Sequence, residues 1–278
     1  MSRRNFLQFA AAGSAALIAA EGSPRLWADE PADPYRGLKM GVASYSLRKF
    51  NLDQALAITN ELGLKYICLK DMHLPLKSSE AERHAAHDKV TAAGLQLLGG
   101  GVITIGKRDD VRSIFQYAKD ADMPTIVTSP DPESLDTVEQ MVKEFDIRVA
   151  IHNHGPGDKW YPSPSDAFQA VANRDKRMGL CIDVGHTVRI GEEPVAAIRR
   201  CSERLYDFHI KDVSEPTPKG TPVVLGTGVI DIPGVLKELL AVGFAGHLGL
   251  EYEIDADNPA PGMEKSLAYI RKSIAAQS

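Results

Sequence analysis

From residue 38 onward the apolar positions of the chain follow two alternating rhythms. Short runs rich in Val, Ile and Leu recur at 39–44, 65–70, 95–99, 124–128, 147–152, 178–183, 205–210 and 247–251, and each reads as a β-strand. Between them the apolar residues recur with helical spacing. Val111, Ile114, Phe115 and Ala118 make one stripe, and Leu135, Val138, Met141, Val142 and Phe145 make a second. Val235, Leu236, Leu239 and Leu240 form a third, and Met263, Leu267, Ile270 and Ile274 close the chain. The stretch 79–94 shows a weaker stripe. Helix starts are signalled by Pro132-Glu133, by Ser163 to Ser165, and by Asp231-Ile-Pro-Gly, where Asp231 can cap. Eight strand–helix units in about 250 residues is the rhythm of an α/β fold of one kind, the (β/α)₈ or TIM barrel. A doubly wound open sheet would carry a glycine-rich phosphate turn after its first strand, and Ser44-Tyr45-Ser46-Leu47 stands there instead. One barrel domain is expected over 29–278.

Side chains alternate faces along a strand, so each run has an inward phase. In the fifth run Val149 and Ile151 face the helices, leaving Ala150, His152 and His154 toward the axis. In the sixth, Gly179, Cys181 and Asp183 face in. In the seventh, Asp207, His209 and Lys211 face in while Tyr206, Phe208 and Ile210 face out. In the eighth, Gly249, Glu251 and Glu253 face in, and in the second, Cys68 and Lys70. Four neighbouring strands thus present His, Asp or Glu inward at their C-terminal ends, the end where barrel enzymes build their sites.

Composition narrows the partners. The net charge is −5, from 32 basic and 37 acidic residues without a basic run, which speaks against a binder of nucleic-acid phosphates. No stretch of about 18 apolar residues occurs, so no ordinary membrane span is expected. Residues 1–28 read as a targeting leader. Arg3 and Arg4 precede an apolar run, Phe6 to Ala20, broken only by Gln8 and Ser14, and Ser2-Arg3-Arg4-Asn5-Phe6-Leu7 resembles the twin-arginine export motif. The expected location is therefore periplasmic or otherwise extracytoplasmic, after cleavage near Ala28. Cys68, Cys181 and Cys201 lack metal-type spacing and read as buried free thiols.

Two imidazoles and two carboxylates converging in a barrel mouth need a cation between them. His152, Asp183, His209 and Glu251 are therefore expected to bind one divalent ion. Mn²⁺ or Zn²⁺ is favoured over Mg²⁺ because imidazole suits softer metals. Lys70 should face Asp183 from the opposite wall, as an acid–base group or in an ion pair with Asp71 or Asp212. His73, His154 and Lys211 are candidate substrate contacts. Gly99-Gly100-Gly101 after the third strand is expected either to let the backbone approach a ligand or to form a turn. Leu225-Gly226-Thr227-Gly228 reads as a loop rather than a phosphate cradle.

Cys181-Ile-Asp183-Val-Gly-His186, Phe208-His209-Ile-Lys211-Asp212 and Gly249-Leu-Glu251-Tyr-Glu253 together resemble the xylose isomerase-like barrel family, which includes sugar phosphate isomerases, epimerases and an endonuclease IV-like branch. The resemblance implies that Asp183, His209 and Glu251 are metal ligands and that His186 contacts substrate. Many members carry Glu-Asn-His at the end of the fifth strand, where this chain has His152-Asn153-His154. In the ketose epimerase branch that glutamate is both a ligand and one of two bases, so the resemblance leaves Glu251 as one base, with His152, His186 or Lys70 as the second. The expected activity is that of a metal-dependent isomerase or epimerase that removes a proton beside a carbonyl of an unphosphorylated sugar. The alternatives are a lyase or hydratase of 3-keto-glycosides using the same metal and base, a non-catalytic sugar-binding barrel, and a metal nuclease, which the acidic charge disfavours.

Overall fold

The computed structural model describes residues 33–277, and the leader expected over 1–28 lies outside them. The β-branched runs become the staves of a closed parallel barrel: β1 Lys39–Ala43, β2 Tyr66–Leu69, β3 Gln96–Ile105, β4 Thr125–Pro130, β5 Arg148–His152, β6 Met178–Asp183, β7 Leu205–Ile210 and β10 His247–Leu250. They pair in the order β1-β10-β7-β6-β5-β4-β3-β2, and β2 closes on β1. A short antiparallel pair, β8 Asp212–Val213 with β9 Pro222–Val223, sits in the connection after β7. The helices are α1 Leu52–Glu61, α2 Glu80–Ala92, α3 Val111–Asp120, α4 Leu135–Phe145, α5 Pro164–Val171, α6 Val184–Arg189, α7 Pro194–Cys201, α8 Ile232–Ala241 and α9 Ala260–Ala275.

The apolar stripes face the barrel as expected. Val111, Ile114, Phe115 and Ala118 of α3 are buried, as are Met263, Leu267, Ile270 and Ile274 of α9. They pack on the outward residues of the strands, among them Ile67, Val149, Ile151, Leu180, Ile182, Phe208 and Leu248. Each such side chain contributes about 1.5–3 kcal/mol by leaving water. The weak stripe of α2 buries only Ala86 and Val90. Its start is set instead by a reciprocal cap, with Ser79 accepting from the Glu82 N–H and Glu82 returning to the Ser79 N–H. Asp231 caps α8 as its position suggests.

Two departures from the expected pattern have steric causes. The glycines at 99–101 do not end the third strand, which runs on to Ile105. They let β4 press against β3, because a Cβ on Gly99 would lie 2.7 Å from the Thr125 carbonyl oxygen. The register against β4 shifts between Gly100 and Ile103. Tyr206, expected to face the helices, packs instead on the inner layer of Cys68, Val127, Ala150 and Cys181. A register shift between β6 and β7, where Leu180 pairs with Leu205 and Cys181 with Asp207, puts Tyr206 out of phase.

The loop 225–228 is wrapped on a buried anion. Asp212 accepts from the N–H groups of Val213, Gly226, Gly228 and Ile230. Its oxygens are thereby engaged, and Lys70 lies 3.9 Å from Asp71 instead. All three cysteines are free and buried. No helix among the described residues is long and apolar enough to cross a membrane.

Candidate metal centre

β10, β7, β6 and β5 are consecutive neighbours in the closed barrel. His152 and Asp183 end β5 and β6. His209 lies one residue before the end of β7, and Glu251 directly follows β10. All four are buried, and one donor atom from each lies within 4.8 Å of the others. His152 Nε2 is 3.1 Å from His209 Nδ1 and 3.5 Å from Asp183 Oδ2, and His209 Nδ1 is 3.3 Å from Glu251 Oε2. Ligands about 2.0–2.2 Å from a tetrahedral ion stand about 3.3–3.6 Å apart, and these three pairs are close to that spacing.

The motifs explain this local arrangement. Asp183 caps α6 with Oδ1, which accepts the His186 N–H at 2.8 Å, and this leaves Oδ2 facing the centre. Asp183 Oδ2 is buried without a hydrogen bond of proper geometry. Asn153 ties the two strand ends together. Its Oδ1 accepts the Asp183 N–H, while its amide donates to the Asp183 carbonyl and to Thr187 Oγ1. Gly185 makes room for the Lys211 stem, since a Cβ there would lie 2.7 Å from Lys211 Cδ.

Lys211 is the cation of the site. Its Nζ is 2.8 Å from Asp183 Oδ2, 2.5 Å from Glu251 Oε2 and 2.5 Å from Glu253 Oε1. Three carboxylates around one ammonium leave an excess of negative charge, which a cation would complement. The titrating groups respond to this excess. Burial opposes the His209 imidazolium, yet Glu251, Asp207 and Asp183 raise its pKa to about 9. Burial drives His152 the other way, down to about 3. Burial also works against the Glu251 carboxylate, but Lys211 and His209 hold its pKa below the ordinary range.

Above this centre is a cavity of about 180 Å³. Lys70, His154 and His186 line it, as expected, and so do Tyr45, Val102 and Glu253, which were not candidate site residues. The His154 and His186 rings lie 4.5 and 5.9 Å from that of His152. Lys70 Nζ donates to the Val102 carbonyl. His73 is not brought to the site. It is buried, with Nδ1 2.9 Å from Ser44 Oγ and Nε2 3.3 Å from the Leu47 carbonyl, so its ring ties the loop after β2 to the turn after β1. Sequence reasoning passed over Glu253, Asp207 and His247, although Glu253 shares the inward phase of Glu251, and Asp207 that of His209. Tyr45 carried no signal, because it sits on a turn where strand phase says nothing.

A family model described as the xylose isomerase-like TIM barrel matches residues 56–273. The rhizopine catabolism protein MocC of Rhizobium meliloti is 29% identical over 141 residues, 45% of this chain and 42% of that protein. An inosose dehydratase of Klebsiella pneumoniae is 30% identical over 161 residues, 51% of this chain and 53% of the enzyme. The chain thus spans about half the length of the curated relatives it matches. Among solved structures, the 3-keto-D-glucoside 4-epimerase of E. coli superposes with a TM-score of 0.66 at 18% identity, over 84% of this chain and 99% of that one. An L-ribulose 3-epimerase gives 0.69 at 14% identity, over 86% and 95%. These structural likenesses carry the fold. With its closed eight-stranded barrel and a family match over most of its length, the chain belongs to the xylose isomerase-like TIM barrel family.

Proposed function

We propose that this protein is a divalent-metal-dependent enzyme that removes the proton beside a carbonyl of an unphosphorylated sugar. The observation that carries the reading is the convergence of His152, Asp183, His209 and Glu251, whose donor atoms lie within 4.8 Å of one another beneath a cavity. A divalent ion held by these four would polarise a carbonyl oxygen and make the neighbouring C–H more acidic. Glu251 is the carboxylate base of the set, placed by Lys211. His186 and Lys70 stand on other walls of the same cavity, where one can steady a developing oxyanion and the other protonate it. His154 orients hydroxyls at the rim.

The cavity chemistry supports a neutral substrate. No arginine lines it among the described residues, and Lys211 is already held by three carboxylates. A phosphate would find no clamp there. The volume is below the range of about 300–1,000 Å³ typical for drug-sized ligands and suits a small polyol.

A second reading shares the first step. His152 stands where the resemblance places a second glutamate base, which leaves Glu251 as the one carboxylate base of the donor set. Elimination needs a base at the acidic carbon and an acid at the leaving group, which Glu251 with Lys70 or His186 provides. Loss of water, or of an aglycone from a 3-keto-glycoside, is therefore the alternative outcome. The curated relatives named as dehydratases support it.

The test is elemental analysis of the purified protein, followed by incubation with free and 3-keto sugars deuterated beside the carbonyl. About one equivalent of metal and loss of deuterium to solvent are expected. Released aglycone marks elimination. Sugar binding with complete deuterium retention makes the barrel a non-catalytic binder, and a protein free of metal whose activity ignores chelators removes the reading altogether.

A further inference from the structure

One layer below the candidate metal centre the barrel holds a buried carboxylate. Asp207, on the inward face of β7 two residues before His209, is fully buried. Its Oδ2 lies 3.2 Å from His247 Nδ1, and its Oδ1 accepts a hydrogen bond from Cys181 Sγ at 3.4 Å. Around it the layer is apolar: Cys68, Val127, Ala150 and Cys181. A carboxylate in such surroundings loses its hydration, and its partners must offset that loss.

The third neighbour is His209. Its Nδ1 belongs to the donor set, facing His152 Nε2 and Glu251 Oε2. Its Nε2 points the other way, is buried, and has no hydrogen-bond partner among the described residues. Asp207 Oδ1 lies 3.6 Å from that nitrogen. An adjustment of a few tenths of an ångström, of the kind ligation imposes, would close this gap to a hydrogen bond. His152, by contrast, has its remote Nδ1 buried with no partner.

We propose that Asp207 is a positioning residue for the metal centre: it holds the proton of His209 on Nε2 and so turns the Nδ1 lone pair toward the ion. The inference rests on the metal reading above. A carboxylate behind a ligating imidazole fixes its tautomer and ring orientation and strengthens it as a donor, and loss of such a partner costs about 10–100-fold in metal affinity. His247 has a separate, structural place. Its ring fills a slot left by two glycines, where a Cβ on Gly41 would lie 2.8 Å from Nε2 and one on Gly249 2.6 Å from Cε1.

The experiment compares Zn²⁺ and Co²⁺ dissociation constants, by chelator competition, for the wild-type protein, Asp207→Asn and His247→Gln, with thermal unfolding as the control. Asp207→Asn should bind about 10–100-fold more weakly and shift the Co²⁺ visible spectrum. His247→Gln should change stability but keep affinity within about threefold of wild type. If Asp207→Asn does not fold, nitrogen–proton correlation spectra of the Zn²⁺-loaded wild-type protein decide the matter, with the His209 proton expected on Nε2. Wild-type affinity in a folded Asp207→Asn, or a proton on Nδ1, overturns the inference and leaves the metal reading standing. A second metal equivalent lost in both Asp207→Asn and Cys68→Ala also overturns it, by making Asp207 a ligand. A wild-type protein that binds no metal removes both.

Discussion

Lys211 shows how closely packed charges set the behaviour of single residues. Its ammonium shares Asp183 Oδ2 and Glu251 Oε2 with the proposed ion and also reaches Glu253. In Lys211→Met the carboxylates lose that partner, and breaking a buried pair typically costs about 3–5 kcal/mol. The metal-free variant should therefore melt well below wild type in thermal unfolding. Added divalent ion should restore much of the loss, because it supplies the missing positive charge to the native state alone. Equal melting of the two metal-free proteins would show that Lys211 carries no such load. Lys70 lies on another wall, held by the Val102 carbonyl rather than by a close ion pair. Lys70→Met keeps the stem and removes the charge, so fold and metal content should persist while turnover falls about 10²-fold or more. Unchanged turnover would assign Lys70 to its contacts with Val102 and Asp71.

β3 illustrates how neighbouring backbone decides what a residue means within an element. Its glycines read as a turn in isolation, yet they lie within a ten-residue strand. The strand continues because β4 approaches so closely at Gly99 that a methyl group would meet the Thr125 carbonyl oxygen. Gly99→Ala should therefore lower stability by about 1–3 kcal/mol through overpacking. Gly94→Ala is the contrasting case. Gly94 has φ +74° with nothing within 4 Å of its Cβ position, so it reports backbone strain without steric contact. Denaturant unfolding of both variants separates the two causes. A Gly99→Ala protein as stable as wild type would mean that β3 and β4 can move apart freely. α2 teaches a similar lesson, because its reciprocal cap specifies a helix that its apolar stripe only weakly suggests.

For the whole molecule, closure of the barrel turns four separate strand ends into one site. His152 and Glu251 are 99 residues apart in sequence and share one donor set. We propose that the folded barrel works outside the cytoplasm, on the strength of Arg3 and Arg4 ahead of a short apolar run. Replacing both arginines by lysine should leave unprocessed precursor inside the cell, as seen by fractionation and the mass of the amino terminus. Normal export of that variant would reject the twin-arginine route. The route would suit the proposed metal site, since a protein carried across already folded can acquire an ion before it leaves.

The sequence by itself marked the eight strands of the barrel and the four candidate donor residues. Alternation within each run marked which residues point inward, and the helical stripes marked the outer layer, because both periodicities are local properties of backbone geometry. His152, Asp183, His209, Glu251, His154 and Lys70 were legible in that way, whereas His186 was marked only by the family resemblance. Other features depended on contacts between strands. Tyr206 moved out of phase through a register shift with β6, and no periodicity within β7 announces such a shift. His73 is drawn into bonds with Ser44 and Leu47, from a different loop, and so away from the centre. Asp212 is spent on the backbone of residues 213–230 rather than on Lys70. Asp207 and His247 become a pair only when β7 and β10 lie side by side. Direction along one strand is set by the strand itself, whereas partnership is set by which strands become neighbours, and the closed barrel alone decides that.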